Sequence, residues 1–138
     1  MARQSCSTAR GFTLVELMIA ATVAALLAGL AWPSLRDTLL RSRRVDATTA
    51  LQRLQLAQER FRAAQGGYAV RLDLLPGSGP RSADGHYQLS LRADGPDRYL
   101  AHATAIGLQA SDAGCELLTL RVDGAITEQL PSARCWLR

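Results

Sequence analysis

The sequence predicts an α+β protein in which one long N-terminal α-helix packs on a small antiparallel sheet of three to four strands. Residues 12–64 carry an apolar run and then apolar side chains at helical spacing, which together indicate the helix. After residue 85, short segments of alternating character are separated by turn residues, which is typical of a meander of strands. With 138 residues, the chain has room for one such core and no second one.

The first element is an apolar run from Phe12 to Trp32, in which Glu16 is the single charged residue. At roughly 1.5 Å per residue, a helix of this length spans the hydrocarbon core of a bilayer. A carboxylate in that medium is costly unless it meets a counter-charge, a cavity or another protein. Glu16 therefore needs a partner, or it must reach the lipid headgroups from one end of a plain single-pass anchor.

The segment before this run, residues 1–11, is short, polar and basic, and it ends in a glycine. Directly after it comes Phe12-Thr13-Leu14-Val15-Glu16-Leu17-Met18-Ile19, and Pro33 closes the apolar stretch. This arrangement resembles the type IV prepilin signal. A secretory signal peptide cut near Ala28-Gly29-Leu30-Ala31 fits less well, because the run is long for a signal core and Glu16 would have no role.

The resemblance implies specific roles for three residues. Prepilin peptidase would cut between Gly11 and Phe12, Phe12 would become the methylated N-terminus, and Glu16 would be the assembly carboxylate. The new α-amine of Phe12 would neutralise Glu16 of a neighbouring subunit when the two pack side by side in the bilayer. Residues 1–11 are then the prepilin leader peptide, and residues 12–33 form a transmembrane helix that later lies in the fibre core.

The helical pattern resumes after Pro33, so residues 34–65 are predicted to form the amphipathic helix of the pilin head. Pro33 removes a backbone donor and is expected to bend the helix. Gly66 and Gly67 end the helix, as glycines after the last periodic position do. The apolar stripe expected to face the sheet consists of Ala47, Ala50, Leu51, Leu54, Ala57, Phe61 and Ala64.

Residues 66–138 are predicted to hold the loop between helix and sheet (the αβ-loop), the antiparallel sheet and a disulfide-bounded C-terminal loop. Breakers in Pro76-Gly77-Ser78-Gly79-Pro80 place the αβ-loop over residues 68–85. Asp123-Gly124 is a hairpin signal. The candidate strands run over residues 86–92, 98–106, 116–122 and 125–129.

Three cysteines become two, Cys115 and Cys135, once the leader is removed. An even pair in a domain exported across the membrane favours a disulfide, and closing a loop of this size would stabilise the head by about 3 kcal/mol. Reduced core thiols or a metal pair are the alternatives. Metal is disfavoured because His86 and His102 are isolated and lack metal-ligand spacing, so no metal or other cofactor is expected.

The rest of the chain is similar, more loosely, to the PilE-type minor pilins of type IVa systems. This similarity implies that the αβ-loop and the disulfide-bounded loop are the exposed faces through which subunits differ. The implied function is a structural subunit of a type IV pilus, a minor rather than a major pilin, that supports assembly, motility or adhesion. The likeness is carried by Arg41-Ser42-Arg43-Arg44, Gln58-Glu59-Arg60-Phe61, Gly66-Gly67-Tyr68, Cys115 and Cys135-Trp136.

The partners implied are other pilin subunits, prepilin peptidase and the assembly platform of the inner membrane. The chain would be a single-pass protein of the inner membrane with its head in the periplasm, and after assembly a part of the extracellular pilus. One pattern opposes this topology, since four arginines follow the apolar run and the positive-inside rule would keep them in the cytoplasm. The cysteine pair, the basic leader and the prepilin resemblance outweigh it. The opposing arginines are Arg36, Arg41, Arg43 and Arg44.

Two other functions stay open. A pseudopilin of type II secretion would share the N-terminal signal, and a binding pilin would recognise DNA during uptake or a host surface. DNA binding ranks below the structural role because the candidate cations are scattered, and the net charge of +4 says little about partners. An enzyme is not expected, since no G-x-S-x-G occurs and most acids neighbour turn residues. The scattered cations are Arg71, Arg81, Arg92, Arg98, Arg121 and Arg134.

Overall fold

The computed structural model describes residues 12–136 and contains one long helix and a four-stranded sheet. The α+β class predicted from the sequence is confirmed, whereas the leader predicted over residues 1–11 lies outside the described residues. The chain divides into two compact units, one ending at Arg36 and the other, termed the head, beginning at Asp37. Helix α1 spans Leu14–Gln65, and strands β1 to β4 span Tyr87–Ala93, Arg98–Ala105, Leu117–Asp123 and Ile126–Leu130. Short 3-10 turns lie at Leu72–Leu74, Gly107–Ser111 and Ala133–Trp136.

The N-terminal unit is helical from Leu14, and those of its side chains that the structure describes are exposed. The polar Thr22 within the apolar run forms a hydrogen bond to the helix backbone. Its hydroxyl donates to the Met18 carbonyl, four residues earlier, at 2.8 Å. The helix is long and apolar enough to cross a membrane. It continues without interruption through residue 33, so the proline expected to bend α1 does not end it.

The second half of α1 packs on the sheet through the predicted apolar stripe. Ala47, Leu51 and Leu54 are fully buried against it, and Ala50, Ala57 and Phe61 are partly buried. Ala64, predicted at the end of the stripe, is exposed in the last turn of the helix. The polar Gln58 is also buried on this face, because its amide donates to the Ala69 carbonyl at 2.9 Å and accepts from the Ala69 N–H at 2.8 Å. This paired contact fixes the chain just after the helix.

The sheet is an antiparallel meander in the order β1-β2-β3-β4, and each strand begins and ends within one residue of its predicted position. Alternation places one face of β1, β2 and β3 against α1, whereas the edge strand β4 has no buried side chain. The β3–β4 hairpin turns at Gly124, whose φ of 58° suits glycine. The inward side chains are Tyr87 and Leu89 of β1, Tyr99, Ala101, Ala103 and Ala105 of β2, and Leu118, Leu120 and Val122 of β3.

Two buried carboxylates tie the head's loops to α1. Asp46 accepts from the Ser82 hydroxyl at 2.6 Å and from the Asp84 and His86 backbone N–H groups at 3.2 and 3.3 Å. Asp112, which follows the turn at Gly107–Ser111, forms a two-bond ion pair with Arg44 at 2.5 and 2.7 Å. The αβ-loop and the segment before β3 are therefore fixed to the helix by polar contacts that burial strengthens.

The Arg44–Asp112 pair is the centre of a larger buried network. The Gln109 amide donates to Asp112, to the Tyr87 hydroxyl and to the Leu40 carbonyl, at 2.9 to 3.1 Å. Hydrogen bonding to Asp112 raises the pKa of the Arg44 guanidinium above its ordinary value. Burial raises the pKa of Tyr87 to about 12, so the phenol is neutral at physiological pH. The network joins α1, β1 and the turn after β2.

The disulfide predicted between Cys115 and Cys135 is present, with the two Cα atoms 5.5 Å apart. Both half-cystines are fully buried, and the loop that they close contains the β3–β4 hairpin. Trp136 is buried beside Cys135, and its indole N–H donates to the Leu130 carbonyl at 2.9 Å, so it covers the end of the edge strand. The disulfide and this hydrogen bond together fix the segment that follows β4.

We expect Asp112→Ala to destabilise the head by about 3–5 kcal/mol, because it leaves Arg44 charged, buried and unpaired. The measurement is denaturant unfolding of the detergent-solubilised chain, followed by Trp136 fluorescence in a Trp32→Phe background. Asp73→Ala, which breaks the exposed Arg71–Asp73 pair, serves as the control and should cost less than about 1 kcal/mol. Replacing both buried partners, as in Arg44→Met with Asp112→Leu, should recover much of the loss. Equal effects of Asp112→Ala and Asp73→Ala would contradict this account.

Candidate functional site

The predicted assembly carboxylate lies in the first turn of α1. Thr13 caps the helix, since its hydroxyl oxygen accepts from the Glu16 backbone N–H at 3.2 Å and its carbonyl accepts from the Leu17 N–H at 3.2 Å. A Thr-x-x-Glu sequence at this position is the pattern of a capping box, and a carboxylate there also suits the positive end of the helix dipole. The Glu16 side chain is exposed.

Of the three predicted processing and assembly residues, two are described. Phe12 precedes the helix and is 75% exposed, and Glu16 is exposed one turn later. Gly11 lies outside the described residues. Both described groups are thus accessible to a second molecule, which is the geometry that pairing between subunits requires.

The apolar surface of the N-terminal unit is exposed on all sides of the helix. A helix that is apolar all round belongs in a membrane or in the middle of a helix bundle. Small residues also recur every fourth position, as Ala20-Ala24-Ala28 and Ala21-Ala25-Gly29, a spacing that lets helix backbones approach closely. The large exposed side chains are Phe12, Leu14, Val15, Leu17, Met18, Ile19, Val23, Leu26, Leu27, Leu30 and Trp32.

The outer face of the sheet, which points away from α1, collects arginines that are distant in sequence. The register places Arg92 of β1 beside Leu100 of β2, and Leu100 beside Arg121 of β3. Arg98 lies on the same face of β2, two residues before Leu100. These three arginines are scattered along the sequence, and strand register alone brings them together.

Acidic side chains on the outer face hold two of these arginines only loosely. Arg98 lies 3.7 Å from Asp123, and Arg121 lies 3.5 Å from Glu128, with every one of these side chains at least half exposed. A shallow groove of about 240 Å³ runs between them, with Leu100 and Ile126 among its lining residues. Such pairs are worth little in water, so a stronger anion can compete for the arginines.

A histidine lies near the middle of the outer face. The Nδ1 atom of His102 is 2.9 Å from the Thr119 hydroxyl, and partial burial lowers the pKa of the imidazole. His102 is therefore neutral at physiological pH and does not add to the positive charge of this face. His86 lies elsewhere, directly after the αβ-loop, where its backbone N–H donates to the Asp46 carboxylate. Across residues 12–136, no three acidic, histidine or cysteine side chains converge as metal ligands.

The remaining sequence-predicted cations lie apart from this group of three arginines. Arg71 forms an exposed ion pair with Asp73 at 2.6 Å inside the αβ-loop. Arg81 makes an isolated bridge to Gln88 at the edge of β1. Arg134 lies near α1, where its backbone carbonyl accepts from Arg44 at 3.1 Å. The arginines of the head thus fall into distinct environments, of which the outer face of the sheet is one.

Comparison with known protein families identifies both parts of the chain. A family model described as type IV minor pilin ComP, DNA uptake sequence receptor, matches residues 33–119. A second model, the prokaryotic N-terminal methylation motif, matches residues 6–32. No curated protein shows significant similarity to the chain. Because the first match covers more than half of the chain and agrees with a long helix on a four-stranded antiparallel sheet, the chain belongs to the type IV minor pilin ComP family and is a minor pilin of a type IV pilus.

Proposed function

We propose that this minor pilin is made as a prepilin, cut by prepilin peptidase between Gly11 and Phe12, and methylated on Phe12. The match to the methylation motif over residues 6–32 carries this proposal, and the exposed position of Phe12 supports it. Residues 12–33 then hold the subunit in the inner membrane, with the head in the periplasm, until the assembly platform moves it into the fibre. The family match favours a pilus over the pseudopilus of type II secretion.

Assembly depends on Glu16 in this proposal. The Thr13 cap leaves the Glu16 carboxylate exposed on an apolar helix, where lipid would make its charge costly. The α-amine of a neighbouring subunit's Phe12 supplies the missing positive charge. Lipid is as apolar as a helix bundle, so close packing of the small-residue positions and this charge pair must provide the specificity of association.

We expect Glu16→Ala to leave cleavage at Gly11 intact and to remove most of the subunit from fibres. Mass spectrometry of the membrane-held form reports cleavage, and immunoblots of sheared pili report incorporation. Glu59→Ala, a change in the exposed part of the head helix, serves as the control and should enter fibres normally. Normal amounts of the Glu16→Ala protein in sheared pili would refute the pairing.

The head is also proposed to bind DNA through the outer face of the sheet. The family model is described as a DNA uptake sequence receptor, and Arg92, Arg98 and Arg121 lie together on this face. With strands about 4.8 Å apart, Arg92 and Arg121 are separated by roughly 10 Å, so their flexible side chains can reach different phosphates of one duplex. Asp123 and Glu128 hold the arginines loosely enough for phosphate to displace them.

We expect the triple variant Arg92→Gln, Arg98→Gln and Arg121→Gln to weaken DNA binding by the full chain in detergent. Each lost phosphate contact should make the slope of log affinity against log salt shallower by roughly 0.9. Fluorescence anisotropy with a labelled duplex at several salt concentrations measures this slope. The control variant, Arg53→Gln with Arg60→Gln, removes exposed arginines of α1 instead and should bind as the parent does. If both variants lose binding equally, attraction is diffuse and the outer face is not the site.

A further inference from the structure

We propose that the head also carries a binding site for the phosphate group of an anionic phospholipid, in a cleft between α1 and the C-terminal segment. The cleft holds about 180 Å³ and lies entirely within the head. This inference rests on the membrane-anchored stage proposed above, because only that stage brings lipid within reach. The lining residues are Asp37, Leu40, Arg41, Arg44, Ser111, Asp112, Ala113 and Arg134.

The charges that line the cleft leave it positive. Arg44 and Asp112 neutralise each other in the buried ion pair. Arg41 and Arg134 are exposed, and neither forms an ion pair with any residue in the described part of the chain. Asp37 is the remaining acid, so two guanidinium groups face the cleft against one carboxylate. An anion entering the cleft would therefore gain a net attraction.

The walls of the cleft are fixed before any ligand binds. Arg44 holds Asp112 on one side and donates to the Arg134 carbonyl at 3.1 Å on the other. Arg134 precedes the buried half-cystine Cys135, and its guanidinium lies 3.5 Å from the Ala113 carbonyl. Two planar guanidinium groups on such a frame suit the tetrahedral oxygens of a phosphate, which they can bind in forked fashion.

The position of the cleft along the chain favours a lipid as the source of the phosphate. Arg41 follows Trp32 closely on α1, and Trp32 ends the apolar run. Tryptophan at the end of a transmembrane helix lies at the level of the headgroups, and basic residues next to such a helix attract anionic lipids. Of the arginines that the positive-inside rule left unexplained, Arg41 thus acquires a role in binding lipid.

The test uses the full chain in neutral detergent and native mass spectrometry with phosphatidylglycerol or phosphatidylcholine of the same acyl chains. The parent should retain phosphatidylglycerol in preference to phosphatidylcholine. Arg41→Gln with Arg134→Gln should reduce that preference by about fivefold for each arginine removed. Arg53→Gln with Arg60→Gln, which removes two exposed arginines elsewhere on α1, should keep it. Unfolding midpoints of both variants, followed by Trp136 fluorescence, show that the head is intact.

Several results would overturn the proposal. These are equal retention of the two lipids by the parent, an unchanged preference in the Arg41/Arg134 variant, or an equal loss in both variants. Displacement of the lipid by inorganic phosphate at equal concentration would make the site one for free phosphate, and displacement by a DNA duplex would make it part of the DNA surface. Failure of the chain to fractionate with membranes would instead contradict the anchored stage, whichever lipid is retained.

Discussion

The whole structure depends on α1 burying two different kinds of surface along one helix. Up to Trp32 its side chains are exposed and, apart from Glu16 and Thr22, apolar, so their burial must come from lipid or from other subunits. From Ala47 onward the helix has one apolar face, and the sheet of the same chain covers it. The first half therefore exposes its apolar surface in an isolated subunit, whereas the apolar face of the second half is already covered. This division makes the head a self-contained fold and leaves the N-terminal half available for assembly.

Buried polar contacts, in addition to apolar packing, determine where the head's loops lie on α1. Arg44, Asp46 and Gln58 occur at intervals along the helix, and each binds a different segment of the rest of the head. A buried ion pair adds little net stability over an apolar pair of the same shape, but breaking it is costly because a charge is left uncompensated. These contacts therefore act mainly by excluding other positions of the loops. The disulfide between Cys115 and Cys135 restricts the C-terminal segment covalently in the same way.

The sequence was sufficient for the helix, the strands and the cysteine pair because each leaves a local pattern. Periodic apolar residues, breakers and the Asp123-Gly124 hairpin signal placed every strand within one residue. Buried Arg44, Asp46 and Asp112 could not be found in this way, since a charged residue within an amphipathic helix or a turn is normally solvated. Their partners lie far away in sequence, as Arg44 and Asp112 do. The grouping of Arg92, Arg98 and Arg121 was missed for the same reason, because strand register alone brings them together.

The chain uses arginine for every positive side chain, so composition cannot separate structural cations from those that bind a ligand. The environment of each arginine does separate these two kinds of cation. Arg44 is nearly inaccessible and uses its guanidinium on Asp112 and the Arg134 carbonyl, which leaves little for an external anion. Arg98 and Arg121 are more than half exposed and hold their carboxylates at 3.5 Å or more, so exchanging a carboxylate for a phosphate costs them little. Recognition of DNA by this head should therefore come from its loosely paired arginines, whereas the tightly paired Arg44 fixes the segment before β3 to α1.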